Sequence, residues 1–168
     1  MSNNQQDMDI KKFKKTFFNK HNVEVYVFTP VEDEYILSLQ KIDKCATNAF
    51  IKNNPSYKWI KSMASRNRRR EFQVYYQSMS HIAHIAGHTK TKIGKKLGKN
   101  HASIINAVRS VENGFYAKDR NMIHAYQQIL KEIIEHVGTI PENIKRKIDS
   151  QPNSHLVWDE KQDSVTTV

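Results

Sequence analysis

The side chains best suited to binding chemistry are concentrated in one basic segment, which runs from Lys58 to Arg109. It contains 12 of the chain's 27 Lys and Arg residues but only one of its 17 acidic residues, Glu71. Such a surface binds phosphates and releases their condensed counterions, so the charge predicts a nucleic-acid partner. An anionic membrane is disfavoured, because the stretch from Lys90 to Lys99 has no aromatic side chain.

Near the end of this segment, the sequence predicts two short helices joined by a tight turn. Thr89 can cap a helix from Lys90 to Leu97, and Gly98-Lys99-Asn100 can form the turn. A second helix is expected from about His101 to Glu112, ended by Asn113-Gly114. This is the helix-turn-helix pattern, in which the start of the second helix contacts DNA bases, although a plain helical hairpin gives the same pattern.

The residue types in this stretch resemble a known DNA-binding family. The stretch reads Ile93-Gly-Lys-Lys-Leu-Gly-Lys-Asn-His-Ala-Ser-Ile-Ile-Asn-Ala-Val-Arg-Ser-Val111. It resembles the C-terminal domain of the bacterial replication initiator DnaA, which has Ile-Gly, a hydrophobic residue, one or two Gly, Arg-Asp-His-Thr-Thr, two aliphatics, His-Ala and Arg. The run Arg66-Asn-Arg-Arg-Arg70 and the pair Tyr76-Gln77 lie at the distances of the family's basic loop and long helix. The resemblance covers roughly residues 60–115.

The resemblance implies a mainly α fold of the Trp-repressor or DnaA C-terminal kind, and roles for individual residues. The family's recognition helix enters the major groove, while an arginine of the basic loop enters the minor groove. By position, the base contacts would be Arg68, Lys99, Asn100, His101 and Ser103. The phosphate contacts would be Arg66, Arg69, Arg70, Lys90, Lys92, Lys95, Lys96 and Arg109. Asn reads adenine and Arg favours narrow A·T-rich minor grooves, so these side chains suit the roles chemically.

Departures from the family change the expected target and activity. Asn100 replaces the family's Asp, Ala102 replaces a Thr, and one turn glycine is missing. We therefore expect a related, A·T-leaning site. The phosphate-cradling motif Gly-x-x-x-x-Gly-Lys-Ser/Thr is absent from the sequence, so ATP-driven origin melting and a nucleotide cofactor are not expected. The chain is predicted to be a detached reader module, of the kind that phages and mobile elements encode.

Three other groups of residues have side chains that could support chemistry. His81, His84 and His88 could share a helix face and bind zinc, but their apolar neighbours and the lack of a fourth ligand favour packing. The acid pairs Glu32/Glu34 and Glu132/Glu135 could support nuclease chemistry, but they lie outside the basic segment and are expected on solvent faces or helix ends. Phe72, Tyr75 and Tyr76 could stack on bases, yet their helical spacing favours the core. No enzymatic activity and no metal are expected.

The rest of the chain is divided into three parts. Residues 1–55 are expected to form an α(+β) segment, with a strand at Val23–Phe28 and a helix over about 36–52, for a homodimer or partner contact. Residues 56–150 form the DNA-binding domain, with helices over about 72–87, 90–97, 101–112 and 117–136 and a small one after Pro141. Residues 151–168 form a flexible tail.

Composition limits the class of protein. The single cysteine, Cys45, excludes an internal disulfide and a Cys-rich zinc site. Short apolar runs and the polar N-terminus predict a cytoplasmic protein with no membrane span or secretory signal, located in the bacterial host if a phage encodes it. The sequence favours sequence-specific double-stranded DNA binding in transcription regulation or replication initiation. A non-specific packaging protein and a small nucleic-acid-processing enzyme are the alternatives.

Overall fold

The computed structural model describes residues 36–159, and these residues are mainly helical, as the sequence predicts. The helices are α1 (Leu39–Asn53), α2 (Arg70–Ile85), α3 (Lys90–Leu97), α4 (His101–Tyr116), α5 (Arg120–Val137), α6 (Glu142–Asp149) and the four-residue α7 (His155–Trp158), with a 3-10 turn at Pro55–Tyr57. No strand occurs between residues 36 and 159. The strand predicted at Val23–Phe28 lies outside the described residues. Within the same range, no helix has the length and apolarity needed to cross a membrane.

Local sequence sets most of the helix ends. Thr89 caps α3 by accepting a hydrogen bond from the Lys92 backbone N–H at 3.3 Å. At the C-terminal end of α1, the side-chain amides of Asn53 and Asn54 donate to the carbonyls of Ala49 and Phe50 at 2.9 and 3.0 Å. These bonds give the carbonyls near the end of the helix side-chain donors, and Pro55 disfavours a helical conformation in the residue before it, so α1 ends at Asn53.

Helix α4 is longer than the sequence predicts, and the expectation that Asn113-Gly114 ends it is wrong. The helix continues to Tyr116. A Cβ at Gly114 would lie only 2.9 Å from Cγ of Met122 on α5, so this glycine allows close packing between two helices. Chain reversal occurs later, at Lys118, whose φ is +55°.

Helix α2 is central to the core, and it packs against α1, α4 and α5. Phe50 of α1 makes edge-on ring contacts with Phe72 and Tyr75 of α2, at centroid distances of 5.3 and 5.4 Å. Phe72, Tyr75 and Tyr76 are all buried, which confirms that their helical spacing marks the core. They are therefore not available to stack on bases.

The core extends beyond the segment from residue 56 to 150. Residues of α1, which precede residue 55, belong to the same cluster of buried apolar side chains as those of α2 to α6. After residue 150, Val157 is buried and Gln127 of α5 donates to the Leu156 carbonyl at 2.8 Å. Residues 155–158, which were included in the predicted tail, thus pack as helix α7.

Candidate nucleic-acid interface

Helices α3 and α4 meet at a tight corner that depends on two glycines. Gly98 has a φ of +61°, and the Lys99 backbone N–H donates to the Gly94 carbonyl at 2.9 Å. A Cβ at Gly94 would lie 2.7 Å from the Lys99 carbonyl oxygen, so only glycine fits there without movement of the turn. The fully buried side chains of Leu97 and Ile104 hold the two helices together. This corner fixes where α4 begins.

One face of α4 is free from its first residue onward. His101, Ala102, Asn106 and Arg109 are exposed, and Ile105 is half-buried beside them. The opposite face is buried and carries Ile104, Ala107, Val108 and Val111. Asn106 was not among the residues expected to contact DNA, although its position one turn after Ala102 could have indicated it.

The structure uses Asn100 as the N-cap of α4. Its Oδ1 accepts hydrogen bonds from the backbone N–H of Ser103 at 2.8 Å and from the Ser103 hydroxyl at 2.7 Å. Its Nδ2 makes no hydrogen bond to any residue between 36 and 159 and stays available as a donor. Because losing such a cap destabilises a helix by about 1 kcal/mol, bidentate reading of adenine by Asn100 would oppose the fold.

The Asp43 junction joins α1, α3 and the basic loop (residues 58–69). Asp43 is 5% exposed, and its carboxylate accepts from the Ser62 hydroxyl at 2.7 Å and from the Met63 backbone N–H at 2.8 Å. The Lys96 ammonium lies 3.6 Å from the same carboxylate. Lys96, an expected phosphate contact, therefore neutralises an acid of the protein itself and places α3 next to the basic loop.

Three further cations of the basic segment have partners within the protein. The Arg69 guanidinium donates to the Tyr57 hydroxyl at 2.7 Å, and that hydroxyl donates to Glu71 at 3.0 Å. The pKa of Glu71 is lowered, first by a backbone hydrogen bond and then by the bond from Tyr57. Arg70 lies 4.0 Å from Asp119. Lys99 places its ammonium 5.9 Å from the ring centroid of Tyr76, a cation–π contact.

The remaining expected DNA contacts have no hydrogen-bond, ion-pair or ring partner among residues 36–159. Six are cations and the seventh is His101, at the start of α4. Lys90 is half-buried and the others are exposed. They are Arg66, Arg68, Lys90, Lys92, Lys95, His101 and Arg109. The corner thus combines the free face of α4 with unneutralised cations on α3 and on α4 itself, while Arg66 and Arg68 belong to the loop joined to α3 at the Asp43 junction.

Of the three histidines that could share a zinc ion, His81 and His88 bond to different parts of the protein. His81 is buried with Nδ1 2.9 Å from the Tyr126 hydroxyl, and burial lowers its pKa to about 4. The Nε2 of His88 lies 2.7 Å from the Leu37 carbonyl. Within the described part of the chain, the one group of three ligand-type side chains close enough to share a metal is Glu132, Glu135 and His136.

That acidic group is occupied by a lysine. Lys52 forms ion pairs with Glu132 and with Glu135, the latter at 3.0 Å. The expectation that both glutamates lie on solvent faces or helix ends is wrong for Glu132, because it is 3% exposed and faces α1. An ammonium group already supplies the positive charge that a metal ion would bring, so this group fits an ion pair between helices.

An open cavity of about 420 Å³ lies between the ends of α1, α2 and α5. It is lined by Asn53, Asn54, Arg70, Glu71, Val74, Tyr75, Asn121 and His124. Its size suits a small molecule. However, Asn53 and Asn54 donate to α1, Glu71 accepts from Tyr57 and Arg70 faces Asp119, so few of its polar groups are free for a ligand.

No protein-family model, curated protein or solved structure matches this chain.

Proposed function

We propose that this protein binds double-stranded DNA in a sequence-specific manner through the α3–α4 corner and the basic loop. The observation that carries the proposal is the exposed face of α4, which starts at the helix N-terminus and lies in the same corner as cations without protein partners. Its biological use would be transcription regulation or replication initiation, and the activity is binding without a catalytic step. The resemblance of residues 60–115 to the DnaA C-terminal domain supports the same function.

Electrostatics favours a phosphate backbone at this corner. The N-terminus of a helix has a partial positive charge, and its first N–H groups bind anions. Lys92 and Lys95 on α3 and Arg109 on α4 add full charges that no acidic side chain of residues 36–159 neutralises. Each phosphate that such a cation contacts releases counterions, which gives affinity without sequence preference.

Sequence preference would come from the face of α4. His101 and Asn106 are exposed polar side chains on that face, and Ala102 between them can contact a thymine methyl group. Asn106 is the better candidate for adenine, because its side chain makes no hydrogen bond within the described part of the chain, whereas Asn100 caps the helix. Arg68 would contact the adjacent minor groove, where Arg favours narrow A·T-rich sequences, and Arg66 would contact the phosphates beside it.

The first test is the selection of bound duplexes from a random pool at about 150 mM salt, near physiological ionic strength. We expect one enriched motif. Retention of DNA without enrichment would contradict sequence-specific binding and favour the packaging function. No retention of DNA would contradict the proposal as a whole.

Matched variants then assign the roles. Asn106→Ala should weaken binding by about 1–3 kcal/mol and relax the preference at one base pair. Lys95→Gln should weaken binding to all sequences alike. Lys118→Gln is the control, because it removes the same charge beyond the opposite end of the 16-residue helix α4 and should leave binding unchanged. An equal loss in Lys118→Gln and Lys95→Gln would show that only net charge matters.

A further inference from the structure

Trp59 is an unusual side chain for its position in the basic loop. It is 64% exposed, although tryptophan is largely buried in most proteins. The other large apolar side chains exposed between residues 36 and 159 are Ile36, Tyr116, Ile134 and Trp158. All four lie outside the basic segment from Lys58 to Arg109. Within the described structure, Trp59 is therefore the one large apolar side chain of the basic segment that is exposed.

The loop backbone holds Trp59 in this exposed position. The Ile60 backbone N–H donates to the Tyr57 carbonyl at 2.9 Å, which closes a turn around Trp59. Ile60 and Met63 on the following side are buried, and Met63 is also bound to Asp43 at 2.8 Å. These contacts hold the loop backbone at and after Trp59, and with the backbone in this conformation its side chain lies at the surface.

The surroundings of Trp59 favour a polyanion that offers flat apolar surfaces. Lys58 and Lys61, on either side of it in sequence, are exposed and have no ion pair within the described residues. The Tyr57 ring lies 6.3 Å from the Trp59 ring, and the Arg69 guanidinium lies 5.7 Å from the centre of the Tyr57 ring. Nucleic-acid bases stack on aromatic side chains, and neighbouring cations hold the phosphates beside them.

We propose that Trp59 stacks on a base of the bound duplex, at a step that the basic loop partly unstacks. The inference depends on the proposed DNA binding and adds a stacking contact to it. Apolar side chains that enter the minor groove wedge base steps apart and bend the duplex. The turn closed by Ile60 holds the backbone at the indole, and Arg66 and Arg68 belong to the same loop.

The test uses the fluorescence of the two tryptophans, Trp59 and Trp158. In the full-length Trp158→Phe variant, Trp59 is the only tryptophan, and excitation at about 295 nm avoids the tyrosines. Its emission should be quenched on titration with the selected duplex, with the same midpoint as the anisotropy of a dye on the DNA. The converse variant, Trp59→Phe, keeps Trp158 and should show the anisotropy change without the quenching.

Affinity variants test stacking without relying on the Trp158 substitution. Trp59→Leu keeps an apolar side chain but removes the aromatic face, and it should weaken binding roughly fivefold to a hundredfold, the range expected for one stacked base. Trp59→Phe should retain most of the affinity. Because Trp59 is exposed, both variants should unfold at the same urea concentration as the unmodified protein.

The two proposals fail in different ways. Unquenched Trp59 in a complex that anisotropy shows to be formed would overturn the stacking proposal and leave DNA binding intact. Equal affinities for Trp59→Leu and the unmodified protein would do the same and would favour a protein partner for this side chain. If the unmodified protein gives no anisotropy change with any duplex, DNA binding itself is contradicted, and the stacking inference with it.

Discussion

Replacement of Gly94 by alanine tests the geometry of the α3–α4 corner directly. The new Cβ would lie 2.7 Å from the Lys99 carbonyl oxygen and 3.6 Å from Cγ1 of Ile104. The first atom belongs to the backbone of the turn, which the Lys99 N–H also ties to the Gly94 carbonyl at 2.9 Å. The contact can therefore be relieved only if the turn moves.

Two opposing effects set the size of the change. Overpacking of this kind destabilises proteins by about 1–3 kcal/mol. Alanine within a helix is more favourable than glycine by up to about 1 kcal/mol. Because the contact is with backbone, we place the overpacking near its upper range and expect Gly94→Ala to lower the free energy of unfolding by about 1–2 kcal/mol.

Gly98 provides the matched control, because its backbone conformation, and not the space around it, favours glycine. A Cβ at Gly98 meets nothing within 4 Å, but the φ of +61° is unfavourable for alanine. Gly98→Ala should lower stability by about 1 kcal/mol, and Gly98→Asn by less, because Asn tolerates this conformation. At Gly94 the order reverses, and the larger Asn should be worse than Ala.

Urea unfolding followed by circular dichroism at 222 nm measures all four variants. If Gly94→Ala is as stable as the unmodified protein or more stable, helix propensity dominates and the close approach of α3 to the turn is refuted.

Three further predictions concern the buried polar groups. Burial holds the pKa of His81 at about 4, below its ordinary 6.5, so the unfolded chain takes up a proton at this histidine first as the pH falls. The free energy of unfolding should therefore fall by up to about 3 kcal/mol between pH 6.5 and pH 4. In urea unfolding at a series of pH values, His81→Asn should reduce this dependence on pH. Asp43→Ala leaves the Met63 N–H without its acceptor and should abolish the hydrogen-exchange protection of that amide, whereas Lys44→Ala on the exposed side of α1 should preserve it. Lys52→Met should destabilise the fold by removing the ammonium partner of the buried Glu132, and adding Glu132→Gln should recover part of the loss in a thermal-unfolding double-mutant cycle.

The fold was predictable where local chemistry determines it. The Asn53-Asn54-Pro55 sequence ends α1, Thr89 caps α3, and Gly98 has the positive φ expected of the turn. In each case the residues that decide the outcome are neighbours in sequence, so the pattern contains the necessary information.

Gly114 shows where local reasoning fails. A glycine near the end of an apolar periodic stretch is typical of a helix end, but it also permits close packing between helices. Met122, on the next helix, decides between the two, because it occupies the space that a Cβ at Gly114 would need. Such a contact depends on how α4 and α5 pack, which no local pattern reports.

The candidate site was predictable in its location more than in the role of each residue. Sequence spacing identified the α3–α4 corner, but the Asp43–Lys96 contact joins residues 53 positions apart and is not visible locally. Asn100 can either cap a helix or face a base, and only the bonds from Ser103 show that it caps α4. The position of the Lys99 ammonium likewise depends on another helix, because it lies against the ring of Tyr76 on α2.

The Asp43 junction has a consequence for the length of DNA that the proposed surface could recognise. It ties Ser62 and Met63 of the basic loop to Lys96 of α3, which limits how far the loop arginines can move from the start of α4. One inserted base pair lengthens a duplex by about 3.4 Å and turns it by roughly 35°. A flexible loop would absorb that change, whereas an anchored one cannot. Two recognised sequence elements, one for the loop and one for α4, would therefore have to be separated by a constant number of base pairs.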